Sequence, residues 1–116
     1  MISAAQPPLL LIPTSKGIEL VHPADIIRIE AISNYSKIYF VSGKTLVVSK
    51  VLKWFEETLS GAQFIRVHRT HIVNKMFIDR CIKTAGYKVG LINGELVEVS
   101  RRKRTLLIQS LYSLAA

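Results

Sequence analysis

The densest set of chemically capable side chains lies in Phe64-Ile65-Arg66-Val67-His68-Arg69-Thr70-His71-Ile72-Val73-Asn74-Lys75, where two Arg, two His and a Lys alternate with apolar anchors. Interleaving of this kind describes a strand that projects polar groups and runs into a turn. A guanidinium can donate two parallel hydrogen bonds to O6 and N7 of guanine, whereas an ammonium acts as a point charge for phosphate. On that chemistry Arg69 is a candidate reader of base edges and Lys75 a candidate phosphate contact. A second basic cluster, Arg101-Arg102-Lys103-Arg104, opens a tail in which Leu107, Leu111 and Leu114 recur at helical spacing. Cations at a helix N-terminus are unfavourable by about 0.3 to 1 kcal/mol each. Either a phosphate meets them there together with free N–H groups, or the side chains splay into water and salt screens them.

Other chemistry finds less support. No Gly-rich loop followed by Lys and Ser/Thr is present, and no Gly-x-Ser-x-Gly, so nucleotide hydrolysis and serine esterase chemistry lose their main motifs. Glu56-Glu57, the one adjacent acidic pair, falls on the outer side of a predicted helix and reads as a solvated face. His68, His71 and Cys81 suggest zinc, but a fourth ligand is not evident, and three-residue spacing on an extended chain sends the two rings to opposite faces. The expectation is therefore no metal and no cofactor. Cys81 is the single cysteine, so no intramolecular disulfide can form and a cytoplasmic setting is expected.

Sixteen Lys and Arg against eight Asp and Glu give a net charge of +8. Residues 1–60 are nearly neutral, with six basic and five acidic side chains, whereas residues 61–116 carry ten against three. A regional excess marks a face suited to a polyanion, nucleic acid first, although a merely solvated basic surface is the plainer reading. With 116 residues, 49% of them hydrophobic, one globular domain is expected. No apolar run reaches the length needed to cross a bilayer, and the patch at residues 9–12 is broken by Pro7, Pro8 and Pro13, which argues against a signal peptide.

The elements that must position these groups read as mainly β. Strand-like runs occupy residues 9–12, 18–21, 26–31, 37–41 and 45–48, with Gly17 and Ser42-Gly43 at reversals. Between residues 50 and 60 the period changes: Val51, Leu52, Phe55 and Leu59 form one stripe, so a short central helix is expected, capped by Ser49 and stopped by Gly61. Strand composition resumes at residues 64–68, 72–73, 77–84, 87–92 and 96–99. Asn93-Gly94 signals a type I′ hairpin turn, and Ser100 is placed to cap the C-terminal helical segment. Residues 1–17 are read as an N-terminal arm with a first strand, and residues 18–116 as the domain proper.

Three blocks in this order resemble the LytTR DNA-binding domain of bacterial transcription and response regulators, over about residues 18–111. They are Asp25-Ile26-Ile27-Arg28-Ile29-Glu30-Ala31 with Asn34-Tyr35, then Phe64 to Asn74, then Val99-Ser100-Arg101-Arg102 after a hairpin. The resemblance implies an elongated, mainly β arrangement of small antiparallel sheets with little helix, whose loops rather than a recognition helix enter successive major grooves. It implies base contacts at Arg69, at Arg101 and near Ser36, with Asn34, Tyr35, Lys37, His68, Lys75, Arg102, Lys103 and Arg104 as supporting or phosphate contacts. This chain departs from the family pattern at Thr70, where Ser is usual, at His71, where Tyr or Phe is usual, and at Ser36, often larger.

Each nominated residue also has a plainer role. Arg66 is expected to pair with Glu30 across strands, Asn74 to form a turn by bonding its own backbone, His68 to orient its loop, and Tyr35 to cover the core edge. The functional expectation is a non-enzymatic, sequence-specific binder of double-stranded DNA acting as a transcriptional regulator or its output domain. Dimeric or side-by-side binding on repeated half-sites would fit, as would an upstream receiver domain or a sensor partner. Rival readings are a non-catalytic RNA-binding module, disfavoured by scattered aromatics, and a small metal-dependent hydrolase using His68, His71 and an acid.

Overall fold

The computed structural model describes residues 9–59 and 63–115. Within them, ten strands form three antiparallel sheets. Strands β1 (Leu10–Thr14) and β2 (Gly17–Val21) make a hairpin. Five strands, β3 (Ile26–Ile32), β4 (Tyr35–Phe40), β5 (Thr45–Val48), β6 (Phe64–His68) and β7 (His71–Asn74), form the central sheet in the order β5-β4-β3-β7-β6. Helix α1 (Leu52–Thr58) links β5 to β6. The third sheet holds β8 (Ile78–Lys83), β9 (Tyr87–Leu91) and β10 (Leu96–Glu98), after which a 3-10 turn (Arg101–Lys103) leads into α2 (Arg104–Leu114). The principal extents are 44 × 41 × 25 Å, a plate in shape.

Two apolar cores hold the plate together, one on each face of the central sheet. Ile29, Ile38 and Ile72 lie side by side across three strands and are covered by Leu10 and Ile12 of β1 and by Leu52 and Phe55 of α1. The second core joins Ile27, Val67 and Val73 to Val89, Leu91, Val97, Val99 and Leu107. Each such side chain contributes about 1.5 to 3 kcal/mol by leaving water. A register shift between Ile26 and Arg28 turns Ile27 and Arg28 in succession away from the first core, so an apolar anchor of the second core and a charged group share one face.

The alternation of Ile and Val places the strands well, and the differences concern caps and turns. The helix begins after Val51, and no side chain caps it, Ser49 included, while Gly61 lies outside the described residues. Asn93-Gly94 does reverse the chain, but only Gly94 has positive φ, +89°; Ile92-Asn93-Gly94 is a three-residue loop in which Gly94 N donates to Leu91 O and Leu91 N to Glu95 O. Val41-Ser42-Gly43 repeats that geometry with Gly43 at +92°. Ser100 stands at the start of the basic tail, yet its hydroxyl makes no cap; its backbone N–H donates to Val67 O at 2.8 Å. Leu10 and Ile12 are fully buried, so the first strand of the expected arm is part of the core.

Candidate nucleic-acid interface

Antiparallel pairing decides which loops meet. Because Glu30 faces His71 and Ile32 faces Tyr35, the β3-β4 turn at Ser33-Asn34 and the β6-β7 turn at Arg69-Thr70 leave the same end of the central sheet. The bond from Ser100 N to Val67 O brings the Arg101–Lys103 turn to that end as well. Glu56, Arg66, His68, Arg69, Ser100, Arg102 and Lys103 together line an open hollow of about 510 Å³. Arg69, Arg101 and Arg102 are exposed, Lys103 and Arg104 half-buried. The guanidinium of Arg104 lies 5.1 Å above the Tyr87 ring, and its Nε is buried without a partner among the described residues.

The Arg69 turn is braced from both sides. Arg66 donates from Nε to His68 O at 3.2 Å and from Nη2 to Arg69 O at 2.6 Å, while its Nη1 is held by Glu56 of α1 at 2.5 Å. The expected Arg66–Glu30 pair is therefore replaced: on β6, Arg66 points toward α1, and Glu30 lies two strands away on the opposite face. Glu56, read as merely solvated, anchors the brace. On the other side His68 Nδ1 lies 2.8 Å from Thr70 Oγ1, which lies 3.0 Å from His71 Nδ1.

Arg28 occupies the centre of this polar face. It makes a two-pronged bond to Glu95, Nε to Oε1 at 2.9 Å and Nη2 to Oε2 at 3.1 Å, and contacts His71 Nε2 through Nη1 at 3.2 Å. Its guanidinium stacks 3.6 Å from the centroid of Tyr39, whose hydroxyl donates to Glu30 at 2.8 Å. Burial works against the charge of Arg28, but the bond and field of Glu95 outweigh it and raise its pKa. The Glu95 carboxyl is held below its ordinary range mainly by the hydrogen bond from Arg28. The His71 pKa is lowered, first by burial and then by the neighbouring Arg28 charge.

The two imidazoles do not point to opposite faces. Their three-residue spacing crosses a turn, so His68 and His71 pair across β6 and β7 with ring centroids 6.5 Å apart. Three of their four ring nitrogens are taken by hydrogen bonds. Among the described residues no group of three or more His, Cys, Asp or Glu is placed to hold a metal.

Two nominated contacts are corrected. Ser36 has 0% exposure, because β4 already begins at Tyr35 and the inward alternation buries its hydroxyl, which donates to Lys50 O at 2.5 Å. Lys75 is buried at 8% exposure, with its ammonium turned onto Ser110 of α2. Both side chains are turned inward. Asn34 and Tyr35 stand exposed at the β3-β4 turn, so Tyr35 does not cover the core edge, and Lys37 is half-buried with its ammonium 5.1 Å from the Tyr39 ring. Asn74 accepts from Met76 N and donates to Ile26 O, a local turn former that also ties β7 to β3. From the sequence, Arg28, Glu56, Thr70 and Glu95 carry no site role; the charges of Arg28 and Glu30 on one strand face were the available sign that this face needed partners.

The description LytTr DNA-binding domain matches residues 16–111. Among solved structures, the LytTr DNA-binding domain of a methyl-accepting/DNA response regulator from Bacillus cereus is similar, with a TM-score of 0.75 and 26% identity over 89% of this chain and 95% of that one. No curated protein sequence matches. With the family description spanning most of its length and the same fold in a solved relative, the chain belongs to the LytTR family of DNA-binding domains.

Proposed function

We propose that this domain is a non-enzymatic, sequence-specific reader of duplex DNA whose turns enter successive major grooves. One observation carries the reading: three exposed segments, at Asn34, Arg69 and Arg101, converge on one end of a rigid sheet, and the last two share a hollow rich in cations. Arg69 and Arg101 are the base readers. Asn34, Tyr35, Lys37, His68, Arg102, Lys103 and Arg104 supply positioning and the salt-dependent phosphate attraction. Ser36 and Lys75 act inside the fold.

The Bacillus cereus relative comes from a response regulator, which supports a role as the output domain of a cytoplasmic regulator driven by a receiver or sensor partner and binding repeated half-sites side by side. The test begins with a duplex selected from a random pool. Arg69→Ala should weaken binding to that duplex by about 1 to 3 kcal/mol while changing a scrambled duplex much less. Equal losses on both in a fluorescence titration would remove Arg69 as a reader.

A further inference from the structure

We propose that Arg28, Thr70 and His71 are positioning residues that fix the tautomer of His68, so that its Nε2–H is presented as a hydrogen-bond donor to the duplex; this rests on the DNA-binding reading above. The direction of the chain follows from the chemistry of its ends. A guanidinium has no acceptor, so Arg28 Nη1 must donate to His71 Nε2, 3.2 Å away. Neutral His71 then carries its proton on Nδ1 and donates it to Thr70 Oγ1 at 3.0 Å. The hydroxyl, having accepted, passes its own proton to His68 Nδ1 at 2.8 Å. At the far end the Thr70 backbone N–H also donates to His68 Nδ1, at 3.2 Å, and a backbone amide cannot reverse. Both ends therefore demand the same arrangement: His68 Nδ1 accepts, and its proton sits on Nε2.

The origin of the chain is stiff. Arg28 is gripped by both oxygens of Glu95 from the β9-β10 loop, lies 3.5 Å from Glu30 on its own strand and stacks on Tyr39 of β4. Around His71 the charged or titratable groups are Arg28 and Glu30 of β3, Glu95 and His68, and the lowered pKa of His71 keeps it in the neutral form that the relay needs. The other end is open. His68 lines the hollow shared with Arg69 and Arg102, and its Nε2 makes no hydrogen bond among the described residues, yet it is not among the buried orphan atoms, so it meets solvent. A donor held there suits acceptor groups, phosphate oxygens or base edges, and the alternative tautomer would offer the duplex a lone pair instead.

The experiment uses the full chain and two readouts. Long-range nitrogen–proton NMR on the free protein reports the ring tautomers, and a titration measures affinity for the selected duplex. Wild-type His68 should be the Nε2–H form. His71→Phe frees the Thr70 hydroxyl to reverse and Thr70→Val removes it, leaving the Thr70 amide alone to oppose the Nδ1–H form. Each variant should therefore raise the Nδ1–H share of His68 above the wild-type value and weaken binding about two- to fivefold. His71→Gln, which keeps one donor and one acceptor, should recover most of both. An Nδ1–H tautomer in the wild type, or a His68 tautomer unchanged in both His71→Phe and Thr70→Val, overturns the relay. Unaltered affinity in variants with a raised Nδ1–H share overturns its role in binding. If no duplex is selected at all, the DNA reading fails while the NMR result still decides the chain.

Discussion

The two turns at the end of the central sheet that carries Arg69 and Asn34 are built differently. The Arg69-Thr70 turn is held by Arg66 through two backbone carbonyls and by a hydrogen-bonded line reaching back to Arg28. The Ser33-Asn34 turn rests on its hairpin alone, with Ser33 at φ +54° and no side-chain hydrogen bond at its tip among the described residues. Ordering a loop before binding removes an entropic cost that the complex would otherwise carry. On the proposed DNA-binding reading, the braced turn suits direct readout and the plain one adaptable contact. In the family resemblance both turns count as base-proximal; in the structure only one has its backbone fixed by side chains from neighbouring positions.

The sharpest way to break the contrast is at its root. Arg28→Met should lower unfolding stability in urea by about 2 to 3 kcal/mol, less than the 3 to 5 typical of a fully buried pair because Glu30 and Glu95 keep access to water. Amide exchange at Thr70 should accelerate beyond what the global loss explains, whereas exchange at Tyr35 should follow the global change. Equal acceleration at both would mean that the brace adds nothing to its turn.

Ser36→Ala comes next. Removing a buried donor leaves Lys50 O short of a partner, which costs about 1 to 2 kcal/mol of stability. Affinity for the selected duplex, measured where the variant is fully folded, should stay at the wild-type value. Weaker binding with unchanged stability would restore Ser36 as a contact and undo the distinction between the two turns.

Acid should weaken the braced region in two stages. His71 has a folded pKa below its ordinary 6.5, so as pH drops past 6.5 the unfolded chain takes up a proton that the folded one resists, and stability declines until the folded group also protonates. Glu95, below its ordinary 4.5, contributes stability above that pH which is lost as pH falls through its folded value. Both effects run the same way. The second should be modest because the carboxylate is partly exposed and screened. Denaturation midpoints from pH 8 to pH 3 should fall in the wild type and be flatter in Glu95→Gln.

Strand positions were legible because Ile and Val alternate with polar residues, as in Ile27-Arg28-Ile29-Glu30, although the register shift there sends Ile27 and Ile29 to opposite cores. The short helix was legible from Leu52, Phe55 and Leu59. Side-chain destinations were not. Ser36 looked like a loop residue because its strand begins earlier than the apolar run that reveals it, and Lys75 looked free because Ser110 lies 35 residues away. The Arg28 to His68 line joins β3, β7 and β6, and its anchor Glu95 comes from another sheet; no local spacing encodes that meeting. Arg69 and Arg101 were legible as exposed cations, since motif position and regional charge agree.

The smallest effect separates the turns by sign. Ser33 holds a left-handed conformation that costs an L-residue about 1 to 2 kcal/mol. Glycine relieves it and loses about 0.5 to 1 kcal/mol in unfolded-state freedom, so Ser33→Gly should be neutral or stabilise by about 0.5 kcal/mol in thermal unfolding. Thr70→Gly has no such strain to relieve, because Thr70 is not among the residues at positive φ, and it deletes the hydroxyl linking His68 to His71. It should destabilise and also weaken DNA binding, while Ser33→Gly leaves affinity within twofold. Glycine with the same sign of effect at both positions would show the turns to be equivalent, because backbone freedom alone would then govern each and the side-chain brace would have no thermodynamic weight.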